Sequence, residues 1–146
     1  MATLTSTTSI ELAKEIELLS INMLRIFSTN QLDTPAAKSL ISPDLHAEFD
    51  HFPAARDAAD RVAILTSVSR HNPDWKVSLL SSCAWAGLEL GVATGWVTLG
   101  VAGMPQEGLT GIVRESVMLM DWRRREDGKW VMVTQKTVKG PGQSVF

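Results

Sequence analysis

The groups in this chain able to carry a proton near neutral pH are three histidines, His46, His51 and His71, together with its carboxylates. Tyr is absent, so acid/base chemistry falls to His, Asp, Glu, Lys or Arg. Asp50 and His51 stand together just before Phe52-Pro53. Such a pair becomes a proton-transfer catalyst inside an apolar pocket, because burial raises a carboxylate pKa and lowers an imidazole pKa toward working pH. Neighbours on an extended chain point to opposite faces, so one of the two faces inward unless the Pro53 turn reorients them. His51 is the preferred base; the competing reading is a carboxylate and an imidazole exposed at a strand end. His71 closes a helix, where an imidazole interacts favourably with the last carbonyls, and is read as a cap. His46 shares a strand face with Glu48 and Asp50, which is read as a solvated face and not as a metal site.

Other chemistries lack their patterns. Cys83 is the single cysteine, which excludes an internal disulfide and a Cys-based metal site, and its strand position suggests core packing. No Ser or Cys nucleophile signature occurs. Gly87, Gly91, Gly95 and Gly100 lie among strands and do not follow nucleotide-binding spacing, so no cofactor is expected. Arg123-Arg124-Arg125 adjoins Glu126 and Asp127 and reads as mixed-charge hairpin decoration.

The elements that must position these groups follow from periodicity. Thr8 and Glu11 have capping-box spacing, and Leu12, Ile16, Leu19, Met23, Ile26 and Phe27 continue at steps of three and four as a long amphipathic helix. Thr34-Pro35 starts a short second helix that Ser42-Pro43 closes. Leu45, Ala47 and Phe49 alternate with His46, Glu48 and Asp50 as a half-exposed strand. A third helix is predicted from about Asp57 to Ser69, with Ala58, Val62, Leu65 and Val68 inward and Asn72-Pro73 as its stop. Beyond Pro73 the chain is rich in strand formers, giving four long antiparallel strands, the last two joined at Asp127-Gly128. A two-residue turn there pairs Met120 with Gln135 and Trp122 with Val133. One face then carries Arg114, Ser116, Met118, Met120, Trp122 and Gln135, a pocket wall with polar points. The other carries Glu115, Val117, Leu119, Asp121, Trp130 and Met132, apolar enough for an alternative wall or a dimer surface.

Helices followed by strands define an α+β class, a curved antiparallel sheet wrapped around about three N-terminal helices. The 146 residues are read as one domain, with residues 1–8 a flexible tail. A net charge of −2 gives no electrostatic reason to expect nucleic acid or an anionic membrane. The polar N-terminus has no secretory pattern and no window is apolar enough to span a bilayer, so the expected address is the cytoplasm.

The order of elements resembles the SnoaL-like polyketide cyclases of the nuclear-transport-factor-like superfamily, whose fold is cone-shaped and cystatin-like. The resemblance covers nearly the whole chain and rests on Phe49-Asp50-His51-Phe52-Pro53, Asn72-Pro73-Asp74-Trp75, Arg114-Glu115-Ser116-Val117, and the run Asp121-Trp122-Arg123-Arg124-Arg125-Glu126-Asp127-Gly128-Lys129-Trp130. It implies a deep apolar pocket and dimerisation through the outer sheet face. The wording is most similar to fungal members serving polyketide or meroterpenoid pathways, where Gln135 matches a position that tends to carry His.

The expected function is therefore a cofactor-independent isomerase or cyclase of secondary metabolism acting on a small enolisable carbonyl compound. His51 or Asp50 would abstract the proton, with Glu115 a further acid/base candidate. Arg114 or Gln135 would stabilise the enolate, and Met118, Met120, Trp96 and Trp122 would shape the pocket. A dehydratase using the same groups, or a non-catalytic dimeric binding module, are the alternatives.

Overall fold

In the computed structural model the described residues are 2–28, 34–48, 54–71, 76–87, 89–102 and 112–145, with side chains described at 10–28, 34–48, 54–67, 70–71, 76–87, 89–102 and 115–138. The elements follow in the order α1 (Ala2–Ser28), α2 (Pro35–Ser39), β1 (Ile41–Glu48), α3 (Ala58–His71), β2 (Lys76–Gly87), β3 (Val92–Ala102), β4 (Ile112–Arg124) and β5 (Trp130–Val145). The strands form one sheet in the order β1-β5-β4-β3-β2. The four long strands pair antiparallel as their alternation predicts. The short strand β1 adds to the edge parallel to β5, a pairing its own period of two could not reveal.

Helix α1 begins ahead of the Thr8/Glu11 capping-box pair and buries Leu12, Ile16, Met23, Ile26 and Phe27. It packs across β2 and β3, while α2 and α3 pack on β1. Ser20 lies within the apolar stripe of α1, and the reason is on the strand beneath. A Cβ added at Gly95 would collide with the Ser20 hydroxyl and come within 2.8 Å of its Cβ. Only glycine lets the helix sit this close. The Ser20 hydroxyl then accepts a hydrogen bond of 3.1 Å from the Trp122 indole, so helix and sheet are tied at a buried point.

The tip of the β4–β5 hairpin differs from the two-residue turn expected. The Arg125 amide donates to the Lys129 carbonyl at 2.8 Å and the Gly128 amide to Arg125 at 2.9 Å, with Gly128 at φ 86°. This is a three-residue loop ending in a left-handed glycine, and it pairs Arg124 with Trp130 and Trp122 with Met132. A shift between Asp121 and Trp122 then inserts Val133, after which Met120 faces Gln135 as expected. The consequence is a correction: Trp130 and Met132, expected on the face opposite Met118, Met120 and Trp122, share the face of those residues and are buried there. Cys83 is also corrected, since it is exposed on the outer face opposite Trp96 and does not pack in the core.

Among the described residues no helix is long and apolar enough to cross a membrane. Helix α3 starts where Asp57 accepts a hydrogen bond of 2.8 Å from the Asp60 amide. It ends where His71 Nδ1 lies 2.8 Å from the Ser67 carbonyl oxygen, the capping contact expected of this residue. Among its described residues Leu65 and Arg61 are the fully buried side chains.

Candidate functional site

Arg61 is the one described cation buried in the interior, and the sequence reading did not single it out. It lies one turn into α3, between Ala58 and Leu65 at steps of three and four, so the stripe that buries those residues buries it too. That spacing was the available signal. Arg61 Nε donates to Gln135 Oε1 at 2.5 Å, and the guanidinium stands 6.0 Å from the centroid of the Phe27 ring. Gln135 is buried on β5 beside Ala47 of β1 and Met120 of β4.

The polar groups left over are nearly all donors. Arg61 Nη1 and Nη2, Gln135 Nε2 and Thr137 Oγ1 are buried and lack hydrogen-bond partners among the described residues. Thr137 follows Gln135 two places along β5 on the same face, opposite Met118. Among the described residues no carboxylate pairs with Arg61; Asp57 and Asp60 are occupied at the start of α3 by backbone amides. Burial pulls the Arg61 pKa well below its ordinary value, down to about 9, which leaves the group cationic at neutral pH. A buried cation beside unfilled donors is chemically suited to an oxygen-rich, electron-rich group.

The sequence candidates distribute unevenly around this centre. Met118, Met120, Trp122 and Gln135 are buried together on the inner face. Trp122 is engaged by Ser20, so it braces the wall. Trp96 pairs with Cys83 and Leu119 on the outer face, away from Arg61, and Glu115 is half-buried on that same face opposite Gly100. Arg114 occupies β4 opposite Val101, and its side chain lies outside the described residues. Asp50 and His51 also lie outside them. The chain on either side of that pair is held firmly: β1 ends at Glu48, and Ala47 and Ala55 exchange backbone hydrogen bonds of 2.9 and 2.7 Å. Ala47 is the residue that pairs with Gln135.

On the exposed side of β1, His46 Nε2 lies 3.3 Å from Glu48 Oε1, a solvated pair as expected. A separate cleft of about 490 Å³ lies between α2, β1 and α3, lined by Lys38, Ile41, Pro43, Asp57, Ala58 and Val62. It does not reach Arg61 or Gln135. Among the described residues no group of three or more His, Cys, Asp or Glu is arranged to hold a metal ion.

The architecture is similar to that of several solved proteins. An NTF2-like protein with a cystatin-like fold from Novosphingobium aromaticivorans superposes with a TM-score of 0.72 at 17% identity, over 97% of this chain and 91% of that one. The hexachlorocyclohexane dehydrochlorinase LinA-type3 from Novosphingobium barchaimii gives 0.68 at 14% identity, covering 99% and 92%. A ketosteroid isomerase-like protein from Erwinia carotovora atroseptica gives 0.62 at 18% identity, covering 87% and 95%. No protein-family model and no curated protein sequence matches the chain. The chain thus has the NTF2-like, cystatin-like α+β fold. At these identities the likeness defines the fold, and the chemistry has to be argued from the residues of this chain.

Proposed function

We propose that the protein is a cofactor-independent acid/base enzyme, an isomerase or cyclase of the SnoaL-like type, acting on a small enolisable carbonyl compound such as a polyketide or meroterpenoid intermediate of fungal secondary metabolism. The observation that carries this reading is the buried Arg61 and Gln135 with their unfilled donors. Proton removal next to a carbonyl develops negative charge on oxygen, and preorganised donors in a water-poor interior are what lower that barrier. Arg61 Nη1 and Nη2 and the Gln135 amide would receive the enolate oxygen. His51 or Asp50 would take the C–H proton and return it at another carbon, or the enolate carbon would close a ring. In sequence these two residues fall between Ala47 and Ala55, which are bridged to each other, and Ala47 pairs with Gln135. Arg114 would supplement the donors, and Glu115 is less favoured because it stands on the outer face.

An elimination on the same groups, making the protein a dehydratase, is the second reading. It is favoured by the likeness to a protein named as a dehydrochlorinase. The enzyme would work in the cytoplasm as a homodimer through the outer sheet face, where Trp85 and Cys83 are exposed and Trp96, Val117 and Leu119 are half-exposed.

The test is proton–deuterium exchange at acidic C–H positions of β-dicarbonyl and aromatic polyketide compounds, followed by NMR across pH. Wild type is expected to exchange label with a profile titrating in the His range, and His51→Ala to lose roughly 100-fold or more of that rate. If His51→Ala and Asp50→Ala both retained full exchange, the base assignment would be wrong.

A further inference from the structure

We infer that the site of Arg61, Gln135 and Thr137 recognises a planar anion with two adjacent oxygens, a carboxylate or the enolate of a 1,3-dicarbonyl, in preference to a simple ketone. The inference rests on the proposed function for the location of the pocket, and it adds the class of substrate.

The geometry of the guanidinium carries the argument. Arg61 Nε is already committed to Gln135 Oε1 at 2.5 Å, which fixes the plane of the group and leaves its far edge, Nη1 and Nη2, without partners. That edge is a fork of parallel N–H bonds, matched to two oxygens held in one plane. A single ketone oxygen leaves part of the fork unsatisfied and the charge unbalanced. A two-oxygen anion satisfies both nitrogens and neutralises a cation that no described carboxylate pairs with. Gln135 Nε2 and Thr137 Oγ1 supply further donors on the adjoining strand. The Gln135 oxygen, which would repel an anion, is turned to Arg61. The Phe27 ring stands 6.0 Å from the guanidinium carbon and adds a cation–π contact.

The probes are hexanoate, acetylacetone and pentan-2-one, with chloride as a spherical anion, titrated at pH 7 by NMR and calorimetry. Hexanoate, acetylacetone or both should bind saturably, with pentan-2-one and chloride weaker by roughly 10- to 100-fold, the range one to two charge-assisted hydrogen bonds provide. Binding of hexanoate alone identifies a carboxylic acid substrate, and binding of acetylacetone alone a 1,3-dicarbonyl. Arg61→Met should lose binding by a similar factor. Gln135→Glu gives Arg61 an internal carboxylate, so it should fold at least as well and still lose the anions. Equal binding of pentan-2-one overturns the inference, as does full anion affinity in Gln135→Glu. Anion binding that depends on Arg61, without deuterium exchange in any compound, leaves this inference standing and removes the proton-transfer reading. Exchange that persists at full rate with undiminished binding in Arg61→Met does the reverse.

Discussion

A buried cation that no described carboxylate pairs with is a liability for stability, and Arg61 shows what holds it in place. Its described hydrogen bond is the one to Gln135, so Gln135→Leu should cost about 1.5–3 kcal/mol by stranding a buried charge. Adding Arg61→Met to that variant removes the charge too, and the double variant should equal or exceed wild type by about 1–4 kcal/mol, as replacement of buried ionic groups by apolar ones often does. Urea denaturation of the three proteins measures this, and a double variant less stable than Gln135→Leu would contradict it. The pH dependence has a definite sign. Because the folded pKa, about 9, lies below that of the unfolded chain, the penalty for charging Arg61 is complete below about pH 9 and is relieved as pH rises beyond it. The stability advantage of the double variant should therefore shrink between pH 8 and about pH 10.5. Keeping a residue that weakens the fold is the pattern expected where binding needs it.

At the scale of elements, the contact between α1 and β3 admits no side chain at position 95. Gly95→Ala should destabilise the protein by about 1–3 kcal/mol, and Ser20→Gly in the same molecule should return part of that loss, which paired unfolding curves would read as a coupling energy. Ser20→Gly giving no rescue would mean that the strain is absorbed elsewhere. Helices and long strands were legible in the sequence because each buries one face and so repeats at its own period. That period places Met118, Met120 and Gln135 together on one sheet face, and the structure buries all three. Trp130 and Met132 were misassigned because a bulge adds one residue without any characteristic residue type, and Val133 is ordinary strand material. Gly128 explains the error further, since Asp-Gly suits both a two-residue turn and the end of a longer loop. Arg61 escaped notice for a different reason: a long cation in a helix normally reaches water, and its burial depends on where α1 and β5 close over it. The parallel pairing of β1 depends on β5 alone and leaves no mark in β1 itself.

At the scale of the whole molecule, the sheet has one face sealed by helices and one face carrying Trp96, Leu119 and Cys83 in a row across β3, β4 and β2. Leu119→Lys places a charge in that row. It should convert the proposed dimer to a monomer without loss of fold, as read by sedimentation and circular dichroism; a wild-type chain that sediments as a monomer would remove the dimer from the account. The sheet order has a further consequence, for biosynthesis. Of the five strands described, β1 is made first and its partner β5 last, with Ile41 paired to Met132 and the Met132 amide donating to the Leu40 carbonyl at 2.8 Å. A nascent chain emerging from the ribosome can form α1, and then the β2–β3 and β3–β4 pairs beneath it, while the edge that β1 will fill stays open. Arg61 meets Gln135 in the same late step. The Arg61–Gln135 contact thus forms only when synthesis has passed β5, and a chaperone acting before that point meets a sheet in which this buried pair does not yet exist.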